Sequence, residues 1–256
     1  MRIDAPAKIN WVLNVLDKRS DGYHTLDMLN QRISIRDSIT LLPHQDILLN
    51  VTGMEDPPKA EDNLAFRAAH ALRTYAGYRG GVHISLEKRI PAQAGLGGGS
   101  ADAAAVLLGL NRLWGLGLSL AELEDVGVRL GADVPFCLYP GLARVGGIGE
   151  RVVPLPTAAT CHLLILKPAG GLSTREVFSR FDQAPDRDPG DITRAAGALL
   201  QGDYMVLGHF CRNQLQLTAV ALLSEVQDAL DALVKHGALF ASLSGSGSAV
   251  FGLFPN

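Results

Sequence analysis

The segment Gly95-Leu96-Gly97-Gly98-Gly99, followed by Ser100, has the residue types of a site that binds an anion. Glycine has no Cβ atom, so a glycine-rich backbone can turn with positive φ and approach a ligand closely. A helix-like run at 103–113 follows, and the first N–H groups of a helix have no partner within the helix. Loop and helix start together predict an anion site, and phosphate is the favoured anion.

The same glycines have a simpler interpretation, a tight turn without a ligand. Two better-known phosphate loops do not fit. The Walker loop ends in Gly-Lys-Ser/Thr, a triplet that the chain lacks. A dinucleotide-binding oxidoreductase has its glycines directly after a strand, whereas residues 87–94 separate these glycines from the strand-like run at 82–86. The acids about 20 residues further on, Glu122 and Glu124, lie where a helix begins and not at a strand end.

Two charged residues stand among small and apolar neighbours. Lys8 precedes the apolar alternation at 11–16, where a lysine is usually a solvated residue at the strand edge. Asp133 lies in the run Gly131-Ala132-Asp133-Val134-Pro135-Phe136. Its structural interpretation is the N-cap of a short turn, which Pro135 favours. Its functional interpretation is a partly buried carboxylate that faces a cleft.

Tyr23 and His24 place an aromatic ring beside an imidazole. Tyr23 has the character of a core residue and His24 that of a surface residue. Alternatively, the two rings stack on a planar base and form hydrogen bonds with it, because imidazole both donates and accepts. The residues alone leave both interpretations open.

The surrounding pattern predicts the elements that hold these residues. Alternating apolar residues indicate short strands in an antiparallel group at 11–16, 29–35, 38–43 and 47–52. The run at 141–153 indicates a hairpin. A buried strand is expected at 161–166, and two closing strands at 238–242 and 249–254 flank a glycine-serine loop at 244–248.

Helix starts are indicated by capping residues. Asp62 or Asn63 is expected to begin a helix that ends near Gly77. Two Ser-x-x-Glu capping boxes, beginning at Ser119 and Ser173, open further helices. Residues 191–200 and 203–237 are expected to be helical, and the second region is expected to break near residue 213 or 218.

Composition limits the function classes. The chain has 256 residues, 47% apolar content and a net charge of −3, which suits one large or two small domains and gives no basic block for nucleic acid. Its three cysteines, Cys137, Cys161 and Cys211, are widely spaced and odd in number, so a cytoplasmic location is expected. No apolar run reaches membrane-spanning length and no signal peptide is recognised, so no membrane partner is expected.

Three segments together resemble the GHMP small-molecule kinases: Pro6-Ala7-Lys8-Ile9-Asn10, the loop from Gly95 to Ser100, and Ser244-Gly245-Ser246-Gly247. Their order and spacing make the set specific, and the resemblance spans the whole chain. The runs at 18–26 and 131–136 are similar to the branch that phosphorylates CDP-methylerythritol. One departure is Ala101, which stands where many members have a second serine.

The resemblance implies an α+β fold of two domains. Residues 1–155 would form an N-terminal α/β domain of the ribosomal protein S5 domain 2-like type, which binds ATP and substrate. Residues 156–256 would form a ferredoxin-like C-terminal domain, with the linker near Pro154-Leu155-Pro156. The active site would lie in the cleft between them.

The resemblance also implies roles for individual residues, with ATP and Mg²⁺ as cofactors and a small-molecule substrate. Lys8 and Asp133 would be catalytic. The ATP-binding residues would be Pro91, Gly95, Leu96, Gly97, Gly98, Gly99, Ser100 and Asn63. The substrate-binding residues would be Asn10, Tyr23, His24, Phe178, Gly245 and Ser246. Ser100 is a candidate metal ligand and Asp102 a weaker one.

Two alternatives accompany this prediction. The first is a GHMP kinase for mevalonate, phosphomevalonate or homoserine, which the run Asp21-Gly22-Tyr23-His24 disfavours because those substrates carry no base. The second is a non-catalytic nucleotide-sensing module, which the presence of both Lys8 and Asp133 disfavours. A monomer or weak homodimer is expected.

Overall fold

The computed structural model describes residues 1–156 and 159–255. Its strands are β1 Arg2–Lys18, β2 His24–His44, β3 Ile47–Thr52, β4 Gly81–Glu87, β5 Leu142–Gly147, β6 Arg151–Pro154, β7 His162–Leu166, β8 Phe240–Leu243 and β9 Val250–Phe254. Its helices are α1 Leu64–Ala76, α2 Gly98–Leu113, α3 Leu120–Val128, α4 Val134–Cys137, α5 Thr174–Phe181, α6 Ile192–Gln201, α7 Tyr204–Phe210, α8 Gln216–Leu222 and α9 Glu225–Lys235.

The larger sheet has the order β3-β4-β2-β5-β6, with β1 paired to β2. Two predictions about it were wrong. The strands expected at 29–35 and 38–43 are parts of the single strand β2, because β1 pairs with both parts, while β5 pairs with the first part and β4 with the last. Strand β3 is not antiparallel to its neighbour, since it pairs in parallel with β4. Helix α1 lies between them in sequence and supplies the crossover that parallel strands need.

Helices α1 and α3 follow the expected local signals. The Asn63 side chain accepts a hydrogen bond from the Ala65 N–H at 2.9 Å and caps α1, while Gly77 ends it with φ of +61°. The capping box of Ser119 and Glu122 is confirmed at α3. Helix α2 begins earlier than expected, because Gly98 and Gly99 form its first turn.

A smaller sheet has the order β7-β9-β8, and helices α7 and α9 pack on it, whereas α6 packs on β1 and β2 of the larger sheet. The expected hairpin β5–β6 and the closing strands β8 and β9 are confirmed. The prediction of a capping box at Ser173 was wrong, since the Ser173 side chain makes no capping hydrogen bond to α5. The strand β7 is not fully buried, because Leu164 is 48% exposed.

The expected long helical region is three helices, α7 to α9. It breaks at residues 211–215, close to the predicted position 213, but Thr218 lies inside α8 and the second break comes after Leu222.

Residues of both sheets pack together in two apolar clusters. The Trp11 ring of β1 meets the Phe251 ring of β9 edge to face, with centroids 5.4 Å apart. Leu13 of β1 also pairs with residues 212–214, since its N–H donates to the Arg212 carbonyl and its carbonyl accepts from the Gln214 N–H. Strand β1, which carries Lys8, is therefore held from both sides. Within residues 1–156 and 159–255, no helix is long and apolar enough to cross a membrane.

Candidate active site

One cleft of about 1080 Å³ contains every residue that the sequence implied for catalysis and binding. Residues 8–24 of the first half and 174–182 of the second reach it, together with the glycine loop and the loop at 245–246. The lining residues from the prediction are Lys8, Asn10, Tyr23, His24, Asn63, Pro91, Gly95, Leu96, Gly97, Gly98, Gly99, Ser100, Asp133, Phe178, Gly245 and Ser246.

Lys8 and Asp133 face each other in this cleft. The Lys8 Nζ and the Asp133 Oδ2 are 3.8 Å apart, and the lysine side chain is 4% exposed while the aspartate is 34% exposed. The prediction that Lys8 is a solvated residue is therefore wrong. Asp133 stands at the N-cap position of α4, but its side chain makes no capping hydrogen bond. Its carboxylate is left facing the cleft and the ammonium group.

A buried amide network positions the lysine. The Lys8 Nζ donates to Asn10 Oδ1 at 2.7 Å, and Asn10 Nδ2 donates to Asn30 Oδ1 at 2.6 Å. Asn10 and Asn30 are fully buried. The side chain of Asn10 thus uses both polar atoms within the protein, and its position next to Nζ suits a residue that orients Lys8.

The glycine loop packs directly on Lys8. Gly97 has φ of +67°, and a Cβ atom there would lie 2.9 Å from Lys8 Cγ. The Lys8 N–H also donates to the Leu96 carbonyl at 2.9 Å. Glycine is required at position 97 by both the left-handed backbone and the close approach of the lysine stem.

The glycine loop also contacts the glycine-serine loop of the second half. Gly95 has φ of +71°, and an added Cβ would lie 2.0 Å from the Ser244 carbonyl oxygen. The Ser244 Oγ donates to the Gly95 carbonyl at 3.0 Å, and the Ala249 N–H donates to the Ala94 carbonyl at 3.2 Å. Two motifs far apart in sequence thus form one wall of the cleft.

Helix α2 points its first turn at this cleft. Gly98, Gly99 and Ser100 form that turn, so their N–H groups have no partner from a preceding turn. The loop before it contains Pro91, and Asn63 at the start of α1 lies on the neighbouring wall. The arrangement suits a polyphosphate, because N–H groups and the positive end of the helix dipole face the same space.

A buried ion cluster that sequence reasoning missed lies beneath this turn. Lys88 Nζ donates to Asp37 Oδ2, and to Asp102 Oδ2 at 2.6 Å. Asp37 also accepts the N–H groups of Arg89 and Ile90. Burial by itself lowers the pKa of Lys88, but its two carboxylate partners outweigh it and the pKa is raised.

Asp102 is the less completely paired carboxylate of the cluster. It is 2% exposed, and its Oδ1 has no hydrogen-bond partner among the described residues. Burial raises the pKa of Asp102 to about 7, although Lys88 opposes the shift. The predicted second metal ligand is therefore a buried group that already binds an ammonium.

The other end of the cleft holds the ring residues. The His24 ring stacks on the Phe178 ring, with centroids 4.9 Å apart and an angle of 23° between the planes. Tyr23 lies on the rim with 59% of its surface exposed. Ser246 Oγ is 2.8 Å from Thr174 Oγ1, which links the glycine-serine loop to the start of α5.

Asp182 is a second residue that the sequence did not single out. Its Oδ1 is 2.6 Å from His24 Nε2, and its Oδ2 accepts from Lys18 Nζ at 2.6 Å. The hydrogen bond from Lys18 contributes most to holding the pKa of Asp182 below its usual range. No local pattern marks this residue, because it directly follows α5 and lies 158 positions from His24.

Comparison with known proteins agrees with this geometry. Residues 63–141 match the GHMP kinases N terminal domain, and residues 195–256 match the GHMP kinases C terminal domain. The chain is 45% identical to the 4-diphosphocytidyl-2-C-methyl-D-erythritol kinase of Verminephrobacter eiseniae, over 99% of this chain and 85% of that protein.

Solved structures give the same result. A crystal structure of 4-(cytidine 5'-diphospho)-2C-methyl-D-erythritol kinase is 36% identical, covers 99% of this chain and 90% of its own, and superposes with a TM-score of 0.84. Homoserine kinase from Cytophaga hutchinsonii has a TM-score of 0.73 over 99% of this chain and 84% of its own, but only 22% identity. That second likeness shows a common fold alone.

Proposed function

The chain belongs to the GHMP kinases and, within them, to the 4-diphosphocytidyl-2-C-methyl-D-erythritol kinases, and from this premise we propose that it transfers the γ-phosphoryl group of ATP to the 2-hydroxyl of 4-diphosphocytidyl-2-C-methyl-D-erythritol. The reaction belongs to non-mevalonate isoprenoid precursor biosynthesis. One observation carries the proposal: the Lys8–Asp133 pair faces the same cleft as the His24–Phe178 stack. Chemistry and base recognition thus share one cavity.

Asp133 accepts the proton of the attacking hydroxyl in this mechanism. The new bond forms between the hydroxyl oxygen and the γ-phosphorus, the bond from that phosphorus to the β–γ bridging oxygen breaks, and ADP leaves. An alcohol is a weak acid, but a loose transition state lets the proton leave late. The partly exposed carboxylate of Asp133 can therefore serve as the acceptor.

Lys8 stabilises the negative charge of the Asp133 carboxylate. At 3.8 Å its ammonium attracts the carboxylate, and it is held on the other side by Asn10. The Lys8 ammonium also faces the space where the attacking oxygen would lie. We assign Asn10 the task of orienting Lys8, in addition to the substrate contact that the resemblance implied.

The glycine loop and the start of α2 are the proposed site for the ATP phosphates. Backbone N–H groups that are already oriented stabilise developing charge without reorganisation. Gly95, Gly97 and the first turn at Gly98 provide such a backbone. Asn63 and Pro91 lie on the adjacent walls, where the adenine is expected.

Mg²⁺ is part of the proposal, and the residues fit it in a limited way. The described residues contain no group of three acidic, histidine or cysteine side chains that would hold a metal. Ser100, which lines the cleft, offers an oxygen donor that suits Mg²⁺ when phosphate and water complete its shell, whereas Asp102 is buried and already binds the Lys88 ammonium. The metal would supply positive charge between the phosphates.

The cytidine end of the substrate is assigned to the ring residues. Tyr23 and Phe178 offer aromatic faces, and His24 offers a polar ring edge. Gly245 and Ser246 line the same cleft, and a Cβ atom added at Gly245 would lie 3.3 Å from Lys8 Nζ. A cytoplasmic location and a monomer or weak homodimer remain part of the proposal.

An ADP-release assay with Mg-ATP tests the proposal. The acceptors are CDP-methylerythritol, mevalonate, homoserine and none, and we expect ADP only with the first. Asp133→Ala should lower kcat by about a hundredfold or more while ATP still binds, because the proton acceptor is lost. Asp228→Asn is the control, because it also removes one negative charge but at an exposed position on α9.

Each other outcome has a definite meaning. ADP release with mevalonate or homoserine would support the proposed Lys8–Asp133 chemistry and reject the proposed cytosine site. No ADP release with any acceptor, although ATP binds, would indicate the non-catalytic nucleotide-sensing module. A kcat of Asp133→Ala within about threefold of the parent would remove Asp133 from the mechanism.

A further inference from the structure

The His24 ring is held on one face and at one nitrogen. It is 8% exposed, it stacks on Phe178, and its Nε2 lies 2.6 Å from Asp182 Oδ1. Within the described part of the chain, Nδ1 makes no hydrogen bond, and His24 lines the cleft. The ring therefore has one nitrogen committed to the protein and one available to a ligand.

Asp182 can only accept at this contact. Its other oxygen accepts from Lys18, and the bond from Lys18 holds the pKa of Asp182 below its usual range. An ionised carboxylate has no proton to donate. The proton between Asp182 and His24 must therefore belong to Nε2, and a neutral imidazole then has a lone pair at Nδ1.

This tautomer distinguishes two bases. Cytosine has an exocyclic amino group, a donor, where uracil has a carbonyl oxygen, an acceptor. An acceptor at Nδ1 pairs with the amino group but leaves both itself and the uracil oxygen unpaired. A buried unpaired polar group is costly, so such a site discriminates strongly.

We propose that Asp182 is a positioning residue that fixes the proton of His24 on Nε2, so that Nδ1 accepts from the amino group of cytosine and the site rejects uracil. The inference rests on the proposed function for the identity of the substrate. It adds a residue from the second half of the chain that sets base specificity through His24.

The tautomer is measured first, on the unmodified protein without substrate. A proton–nitrogen correlation NMR spectrum of the histidine side chains at about pH 8, where an ordinary imidazole is neutral, reports which nitrogen carries the proton. His24→Gln identifies the His24 signals. We expect a protonated Nε2 and an unprotonated Nδ1 in the parent, and a changed pattern in Asp182→Asn, whose amide can donate as well as accept. A protonated Nδ1 in the parent would overturn the proposal.

Equilibrium binding of CDP and UDP is the second measurement and needs no turnover. The parent should bind CDP at least about tenfold more tightly than UDP, and Asp182→Asn should lose most of that preference. Asp228→Asn should retain it, because it removes the same charge far from the rings. A merely structural role of Asp182 would weaken both nucleotides alike and leave their ratio unchanged, which contradicts the proposal.

A double-mutant cycle separates action through His24 from direct contact of Asp182 with the base. In a His24→Ala background, Asp182→Asn should leave the CDP-to-UDP ratio unchanged, because the positioned group is gone. A further loss would show that Asp182 itself binds the base. Since binding is read without an acceptor assay, an intact preference with no phosphoryl transfer would reject the proposed function and keep this inference.

Discussion

At the scale of single residues, burial explains why Asp102 differs from an ordinary aspartate. It shares the Lys88 ammonium with Asp37, and its second oxygen has no partner among the described residues. One cation between two buried carboxylates leaves an uncompensated negative charge when both are ionised. Burial raises the pKa of Asp102 to about 7, and the charge of Asp37 adds to the shift while Lys88 opposes it.

The cluster predicts a pH dependence of stability. An unfolded aspartate binds its proton with a pKa near about 3.9, so between about pH 4 and 7 the native state binds more protons at Asp102 than the unfolded state does. The contribution of Asp102 therefore lowers the free energy of unfolding as pH rises from about 4 to 7. Asp102→Asn, which stays neutral, should gain stability relative to the parent as pH rises. Urea unfolding at several pH values measures the difference.

The test is whether the stability of Asp102→Asn relative to the parent increases as pH rises. Asp228→Asn, fully outside the cluster, should show no such trend. A constant or decreasing gap between Asp102→Asn and the parent from about pH 5 to 8 would show that Asp102 is ionised throughout.

At the scale of elements, the contact between the glycine loop and the glycine-serine loop builds the cleft wall. The loop before α2 approaches the loop between β8 and β9 so closely that a side chain at Gly95 would overlap the Ser244 carbonyl. The hydrogen bonds at Ala94 and Gly95 fix the same register. The glycines thus serve packing between elements, in addition to the phosphate site that we propose for this loop.

Gly95→Ala should therefore cost more stability than a left-handed glycine alone explains. Gly77→Ala is the matched control, since Gly77 has a similar φ of +61° but nothing within 4 Å of the added Cβ. The control should lose about 1–2 kcal/mol from backbone strain. Gly95→Ala should lose more and also weaken ATP binding, because the loop must shift. Urea unfolding and ATP titration measure both effects, and equal losses for the two variants would contradict the prediction.

At the scale of the whole molecule, the two halves are joined by two shared apolar clusters and by Asn213. Its Nδ2 donates to the Leu243 carbonyl at 2.9 Å and to the Gly245 carbonyl at 2.8 Å, and its Oδ1 accepts from the Leu215 N–H at 3.0 Å. The same residue pairs with Leu13 of β1. Asn213 thus ties the glycine-serine loop after β8 to strand β1, which carries Lys8.

Asn213→Ala should lower the free energy of unfolding by about 2–4 kcal/mol, because it leaves two buried carbonyls and one N–H without their partner. Asn50→Ala, at an exposed position in β3, is the control. The parent should unfold in one transition, because Trp11 lies in an apolar cluster that both halves share. Circular dichroism and tryptophan fluorescence should give coincident curves, and separate transitions would show that the halves unfold independently.

Local chemistry in the sequence was sufficient for the features that depend on neighbouring residues. The turns of the glycine loop, the caps at Asn63 and Ser119 and the hairpin at 141–153 follow from glycine freedom, side-chain capping and alternation, while anion binding by the loop stays a prediction. The resemblance supplied the family and the candidate roles. Those signals act within a few residues, so they can be recognised without knowing the rest of the chain.

Only the tertiary structure decided which distant groups meet. It buried Lys8 against Asn10, paired β3 in parallel with β4, and assembled the Lys88 cluster and the Asp182–His24 contact. Each depends on packing between segments far apart in sequence, and neither spacing nor residue type encodes that proximity. Residue types and local spacing were enough to identify the kinds of groups at the site, whereas the packing of the two halves set their partners, burial and charge.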